Sequence, residues 1–354
     1  MSRRAKEGAL RAEFIKTCKR FAKAAEVSLP RTGPGRKPEI PDWVLAVMII
    51  TAVTARKKTK LAQWSYWQDR AAEFSEWSDG YRLPGRSTFF ERYTRLDALV
   101  REAVRLQGDA AVRHRWADAS CVAVDKCLVA ARGRRRSSRA RGPVPRGVDG
   151  DATWGYSKHH GWVRGYSFEV VTTAPKKGAV WPLLASVDVA SRSEQVSFVE
   201  KVPLLPESTR HVLADSGYDS NNVGENVESP LPGRRARRRF LCPEIRRPNV
   251  GRKPKKKWPR TIARRESRRR RDARRKYFQS KAGKSLYARR RTCIEPFNSR
   301  IKDLFELGSR TWLWGLANNR TQILAAIFAY QALLTVHHRH GHRNARIKHL
   351  LNYF

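Results

Sequence analysis

The sequence has too few acidic residues to balance its basic ones, and this shortage is its most informative feature. Only 32 Asp and Glu stand against 74 Lys and Arg in 354 residues, giving a formal net charge of +42 at pH 7. A field of this sign and size favours a polyanionic partner, and nucleic acid fits best. An anionic membrane surface fits less well, because no basic helix with a strong apolar face is evident.

Cysteine pairs and long apolar runs are also missing. The five cysteines show no Cys-x-x-Cys spacing, so neither a zinc ribbon nor a disulfide framework is predicted, and a reducing compartment fits. The longest apolar run, residues 43–55, is too short to span a bilayer core of about 30 Å, and no signal peptide is evident. We therefore expect a cytoplasmic, nucleoid-associated protein without a membrane partner.

A change in composition near residues 114–120 divides the chain into two predicted domains. Before it, apolar residues recur at helical spacing and predict an all-α region over 1–115. After it, valine-rich runs predict strands at 121–130, 161–173 and 179–189. A short helix and a further strand that ends in Asp215 follow, an order typical of a mixed α/β sheet, and we extend this second domain over 116–340.

Two segments of extreme charge stand apart from these domains. Residues 234–276 carry 22 Lys and Arg against three acids, a net +19 in 43 residues. Apart from a short strand near 239–245, such a segment cannot bury enough apolar surface to order itself, so we predict disorder that is relieved on a phosphate backbone. Residues 341–354 are predicted to form a basic tail.

A turn followed by a basic helix occupies residues 83–95. Phe90, Tyr93 and Leu96 recur at helical spacing and predict a buried face. The polar side chains that point elsewhere are candidate DNA contacts, namely Arg86, Thr88, Arg92 and Arg95. A helix-turn-helix reader and an ordinary bundle helix with a charged outer face both fit this spacing.

Two short apolar strands each deliver a carboxylate. Asp125 lies in the middle of the valine-rich run Cys121–Ala130, and Asp215 ends the run 211–215 before a Ser-Gly turn. Burying an ionised carboxylate is costly unless it is paired or binds a metal. A buried Asp paired with arginine and a metal-binding pair of aspartates are the two interpretations.

A third carboxylate lies near residue 295. On a helix, Arg291, Glu295, Asn298 and Lys302 share one face, since they are four, three and four residues apart. This spacing fits a surface ladder of ion pairs. It also fits a third acidic ligand flanked by cations that bind phosphate, with Arg300 as a further DNA contact.

These carboxylate motifs resemble those of DDE transposases of bacterial and archaeal insertion sequences. The resemblance rests on Val124-Asp125, on Ala214-Asp215-Ser-Gly-Tyr-Asp219 and on Arg291-x3-Glu295-x6-Lys302, the last similar to the Arg–Glu–Lys part of a Tyr–Arg–Glu–Lys signature. The signature would place its tyrosine at position 288, where Ala stands, and Tyr287 is one residue early. Gly35-Arg-Lys-Pro and the segment from Leu83 extend the similarity over about residues 35–335.

The resemblance implies an RNase H-like mixed sheet flanked by helices, preceded by an all-α DNA-binding region. It implies that Asp125, Asp215 and Glu295 bind two Mg²⁺ or Mn²⁺ ions and cleave and join double-stranded DNA, with the protein a homodimer on DNA. Arg291, Lys302 and Asn298 would position phosphate. A metal-dependent nuclease of the same fold and a non-catalytic DNA-binding protein are the alternatives.

Overall fold

The computed structural model describes residues 3–30, 38–137, 140, 142–158, 161–229, 238–244, 261–308 and 310–354. Most of the Gly35-Arg-Lys-Pro motif and much of the basic tract 234–276 lie outside these residues. Within the described ranges, no helix is long and apolar enough to cross a membrane.

The N-terminal third is entirely helical, as predicted. Its helices are α1 (Arg3–Ser28), α2 (Asp42–Thr54), α3 (Lys60–Gln68), α4 (Ala71–Trp77), α5 (Arg86–Arg92) and α6 (Asp97–Arg113). Helix α2 is apolar on all sides and is buried at every position after Asp42. A helix of this kind needs neighbours all round it, so α2 forms the centre of this region.

The second part of the chain forms one mixed sheet. Its strands are β1 (Cys121–Ala130), β2 (Thr153–Ser157), β3 (Gly161–Thr173), β4 (Pro182–Val189), β5 (His211–Leu213) and β6 (Arg239–Leu241). β1, β3 and β4 make an antiparallel meander, whereas β5 and β6 add in parallel beside β1. The order β4-β3-β1-β5-β6, with β2 paired to the start of β3, is RNase H-like and confirms the predicted fold.

Helices cover both faces of this sheet. They are α7 (Glu194–Val199), α8 (Asn221–Glu228), α9 (Ile262–Gln279), α10 (Lys281–Leu304) and α11 (Leu316–Arg339). Val122 and Val124 of β1 pack with Phe198 of α7, while Ala123 packs with Ile294 of α10. Because side chains alternate along a strand, Asp125 faces α10 and Lys126 faces α7.

One hydrophobic cluster crosses the boundary predicted at residue 116. It joins Val44 of α2 and Val100 of α6 to Phe168 of β3, Trp181 before β4 and Leu324 of α11. The apolar helix α11 lies between the N-terminal helices and the sheet and is buried along most of its length. The N-terminal helices are therefore built onto the sheet through a shared core.

The basic tract departs from its prediction. Disorder was expected over 234–276, with a strand at 239–245; the strand is present as β6, but disorder is wrong for Ile262–Lys276, which are helical in α9. The reason is that the arginines of α9 find acids on the rest of the protein. Arg271 donates to Asp219 at 2.8 Å and Arg274 to Glu228 at 3.0 Å.

The C-terminal segment 341–354, predicted to be a basic tail, is also packed. A 3₁₀ helix spans Lys348–Tyr353, and its Leu350 and Leu351 are buried. The ring of Phe354 lies 4.6 Å from that of Phe14 in α1. The apolar residues among the basic ones explain the difference, since they have α1 to pack against.

Candidate active site

The register of β1 and β5 brings the two predicted aspartates side by side. The parallel pairing matches Ala123 with Leu213, so that Asp125 and Asp215 follow two residues later on neighbouring strands. Asp215 lies two residues beyond the end of β5 and caps the 3₁₀ turn Ser216–Tyr218, and its Oδ1 accepts from the N–H of Gly217 at 2.9 Å. The two carboxylates therefore lie at one end of the sheet.

Helix α10 completes the centre from the facing side. Arg290 donates to Oδ1 of Asp125 at 2.7 Å and to Oε1 of Glu295 at 3.0 Å. Asn298 donates through its amide to Oδ2 of Asp125 at 2.9 Å. Arg290 and Asn298 are buried, whereas the Glu295 side chain is 51% exposed, so the site opens to solvent on the side of Glu295.

The charged groups of the centre act on the pKa of Asp125. Burial raises the pKa of Asp125 to about 7; Arg290 works against this shift, and the charges of Asp215 and Glu295 add to it. Like charges held together in a buried place disfavour ionisation. The centre has more negative charge than Arg290 alone compensates, and this is the property that a cation-binding site requires.

A fourth carboxylate, Glu194, was not predicted. It is the first residue of α7, and burial, then the charge of Asp215, raise the pKa of Glu194 to about 7. The only sequence signal was its place after the apolar run of β4, which also fits an ordinary helix start. Lys126 donates to the carbonyls of Ala190 and Arg192 at 2.9 and 2.6 Å and so holds the turn before α7.

The cation on the site face of α10 is one residue away from the predicted position. Arg291 is exposed, and Arg290 contacts the carboxylates instead. Tyr287 lies three residues before Arg290, and the charges of Asp215 and Glu295 contribute to raising the pKa of Tyr287 to about 12, after burial. Both members of the expected Tyr–Arg pair are thus displaced by one residue relative to Glu295.

The other predicted side chains of α10 point in different directions. Lys302 is close enough to Cys127 to oppose the burial that raises the pKa of that thiol. Cys127 is two residues after Asp125 on the same face of β1, so Lys302 lies along the site. Arg300 donates instead to the hydroxyl of Tyr330 in α11 at 3.2 Å, which is a packing contact.

The N-terminal candidates also differ among themselves. Arg92 is a structural residue, because it forms an ion pair with Asp42 and donates to the carbonyl of Ile40. Arg95 is exposed and pairs with Glu91 one turn before it. Arg86 lies over the ring of Phe90, and Thr88 is exposed. Neither Arg86 nor Thr88 is buried, whereas Arg92 is held inside the structure by its ion pair.

The donor chemistry of the centre fits a hard divalent cation. All its charged donors are carboxylates, the ligands that Mg²⁺ and Mn²⁺ prefer. The Oδ1 atom of Asn298, which is 6% exposed, has no hydrogen-bond partner. Among the described residues no three acidic, His or Cys side chains yet converge at metal-binding distance, since Arg290 lies between Asp125 and Glu295.

An RNase H-like sheet with one aspartate within β1, a second just after the neighbouring β5 and a glutamate on the facing helix is typical of a nucleic-acid-processing enzyme. The family model described as "Transposase DDE domain" matches residues 116–332. The chain therefore belongs to this family of transposases, and its function lies in DNA transposition. This confirms the predicted resemblance to DDE transposases.

The other comparisons add little. None of the curated proteins matches the chain. One solved structure, described as a cryo-EM structure of the piggyBac transposase synaptic complex with hairpin DNA, is similar over 98% of this chain and 78% of that chain. Its identity is 12% and its TM-score 0.38, values too low to transfer any detail.

Proposed function

We propose that Asp125, Asp215 and Glu295 form the catalytic centre of a transposase that cleaves and joins DNA strands. The observation that carries the proposal is the parallel β1–β5 pairing, which sets the two aspartates side by side opposite Glu295. Bound there, two Mg²⁺ or Mn²⁺ ions would activate the attacking oxygen and stabilise the leaving oxygen. Water would first break the P–O3′ bond and leave a 5′-phosphate. The freed 3′-hydroxyl would then attack a phosphorus of the target DNA and displace the 3′-oxygen of the target strand, which leaves as a hydroxyl.

The remaining residues hold this centre in position. Asn298 and Arg290 each bond one oxygen of Asp125, so that carboxylate is fixed in orientation. Arg290 also bonds Glu295, and its charge lies where a DNA phosphate would approach from the open side. Lys302, further along the same helix, extends the positive charge next to Cys127.

DNA would reach the centre along a basic groove on α9. The groove has a volume of about 450 Å³ and is lined by Asn221, Arg264, Ser267, Arg268, Arg271, Asp272 and Arg275. Its four arginines are four, three and four residues apart, so they share one face of the helix. Arg271 bonds Asp219, four residues after Asp215, which puts the groove beside the carboxylates.

The exposed Arg86 and Thr88 are proposed as a second DNA contact on the N-terminal region. They lie in the first turn of α5, within the predicted turn-and-helix segment 83–95. We also propose that the protein pairs as a homodimer only on double-stranded DNA. Two copies that each carry +42 repel one another until a polyanion neutralises them.

The test is a plasmid assay with purified protein, Mg²⁺ or Mn²⁺, and DNA that carries the sequences flanking the gene. Wild type should give metal-dependent nicks and joined products, and Asp125→Asn should give neither while still binding DNA. Nicks without joined products would favour a nuclease of the same fold. Binding without metal-dependent cleavage would favour a DNA-binding protein that has lost catalysis.

A further inference from the structure

We propose that Glu194 is a fourth carboxylate of the cation site formed by Asp125, Asp215 and Glu295. This inference rests on the function proposed above. Glu194 begins α7, and the next residue, Gln195, donates to the carbonyl of Gly217 at 3.0 Å. The start of α7 is thereby fixed on the turn that Asp215 caps.

Gly217 leaves the space that Glu194 fills. A Cβ at position 217 would lie 2.2 Å from Oε2 of Glu194 and 3.1 Å from Oδ1 of Asp215. Because these two distances meet at one point, the two carboxylate oxygens are at most 5.3 Å apart. The φ angle of Gly217 is not in the left-handed region, so what a side chain here would disturb is the present position of the Glu194 carboxylate.

On the Asp215–Glu194 side of the centre the described residues form no direct ion pair, although the charge of Lys126 acts on Glu194 and that of Arg290 on Asp215. Arg290 compensates Asp125 and Glu295, but among the described residues no Lys, Arg or His forms an ion pair with Asp215 or Glu194. The ammonium of Lys126 donates its hydrogen bonds to the carbonyls of the turn before α7. Two carboxylates this close in a partly buried place repel each other unless a cation lies between them.

A second observation at the same centre points to a ligand. The buried amide of Asn298 bonds Asp125 through its nitrogen, and its Oδ1 has no partner. A buried polar atom left without a partner costs free energy that a ligand can recover. The centre therefore offers four carboxylates and one amide oxygen, enough hard donors to share between two divalent ions.

The experiment measures cation binding directly, without DNA. Full-length wild type, Glu194→Gln and Glu200→Gln are titrated with Mn²⁺ by calorimetry, and their melting temperatures are recorded with and without 10 Kd of Mn²⁺. Glu200 is the matched control, because it directly follows α7, is 61% exposed and pairs with Arg192. We expect Glu194→Gln to weaken Mn²⁺ binding at least about tenfold and to lose most of the Mn²⁺-dependent rise in melting temperature, whereas Glu200→Gln should behave as wild type.

Two further variants make the result decisive. Gly217→Ala should weaken Mn²⁺ binding like Glu194→Gln, since the methyl group displaces the carboxylate, and Glu194→Asp should restore part of it. If Glu194→Gln has a lower melting temperature than wild type without metal, the Mn²⁺ affinity of the folded Glu194→Asp variant is compared with wild type instead. Wild-type Mn²⁺ affinity in Glu194→Gln, with loss in Asp125→Asn, would overturn this inference alone. Unchanged affinity in both would overturn the proposed function as well.

Discussion

The aspartates of the sheet and the side chains of α10 reach the same centre by different routes. Asp125 and Asp215 are placed by strand pairing, in which each residue has a defined partner and a defined face. Glu295, Arg290 and Asn298 are placed by the rotation of a helix about its axis. Pro296 lies inside this helix and has no N–H to donate to the carbonyl of Thr292. The helix can therefore depart from regular geometry at this point.

The difference shows how tightly a strand and a helix each fix the position of a side chain in the site. A slip of one residue in a strand turns its side chain to the opposite face, so a buried strand tolerates none. A helix turns by only about 100° per residue, and a long arginine can reach the same carboxylate from either of two positions. Accordingly the aspartates lie where the sequence pattern puts them, whereas the cation of α10 is Arg290 and not Arg291.

The largest effect is expected from the strand side. Asp125→Asn and Asp215→Asn should each reduce cleavage on the order of 1,000-fold, because residues that act as one unit each cost nearly the whole activity. Metal-dependent plasmid nicking measures this, with the exposed Asp303→Asn of α10 as the control. Cleavage by Glu295→Gln should be reduced by a similar factor. Substantial activity in that variant alone would mean that the carboxylate on α10 is dispensable.

The largest loss of stability is expected when the buried polar groups that support the aspartate strands are changed. Glu169 of β3 accepts from Lys201 at 2.6 Å and from the hydroxyl of Tyr218, just after Asp215, at 2.9 Å. Lys201→Met leaves Glu169 buried without its cation and should cost about 3–5 kcal/mol of unfolding free energy. Urea denaturation measures it, and Arg95→Ala, which breaks an exposed pair, should cost under about 1 kcal/mol.

Neighbouring arginines of α10 test the helix side directly. Arg290→Ala should lower the unfolding free energy by about 1–3 kcal/mol, because Asp125 loses a charged hydrogen bond in a buried place. It should also lower cleavage per folded molecule. Arg291→Ala is the matched control and should change the melting temperature little, since its side chain is exposed. A larger effect of Arg291→Ala than of Arg290→Ala would instead support Arg291, the residue predicted from the sequence, as the cation of the site.

The smallest effect per residue is expected outside the centre, in the basic groove. Arg264→Ala and Arg268→Ala should each reduce the slope of log affinity against log salt by about 0.9 for duplex DNA of any sequence. Filter binding between 50 and 200 mM salt measures the slope, with the exposed Arg113→Ala, outside the groove, as the control. A change in sequence preference at constant slope would show that the groove reads bases.

By itself the sequence determined that a mixed sheet is present, where most of its strands lie, and that Asp125 and Asp215 lie on or just after two of them. The spatial order of the strands, and β2, came only with the tertiary structure. Valine-rich runs with turn residues between them specify strands locally, and parallel pairing leaves a strand-end carboxylate few places to lie. It also determined the helical first third, since apolar residues at helical spacing are a local signal.

Only the tertiary structure decided what depends on partners distant in the chain. Glu194, which we propose as part of the centre, lies beside Asp215 because Lys126 holds its turn and Gly217 leaves it room. Helix α9 is ordered because acids 31 to 52 residues away pair with its arginines. Arg92 is a structural residue because Asp42 lies within reach. Charge and spacing along a sequence do not specify such pairings, because each depends on which surfaces the fold brings into contact.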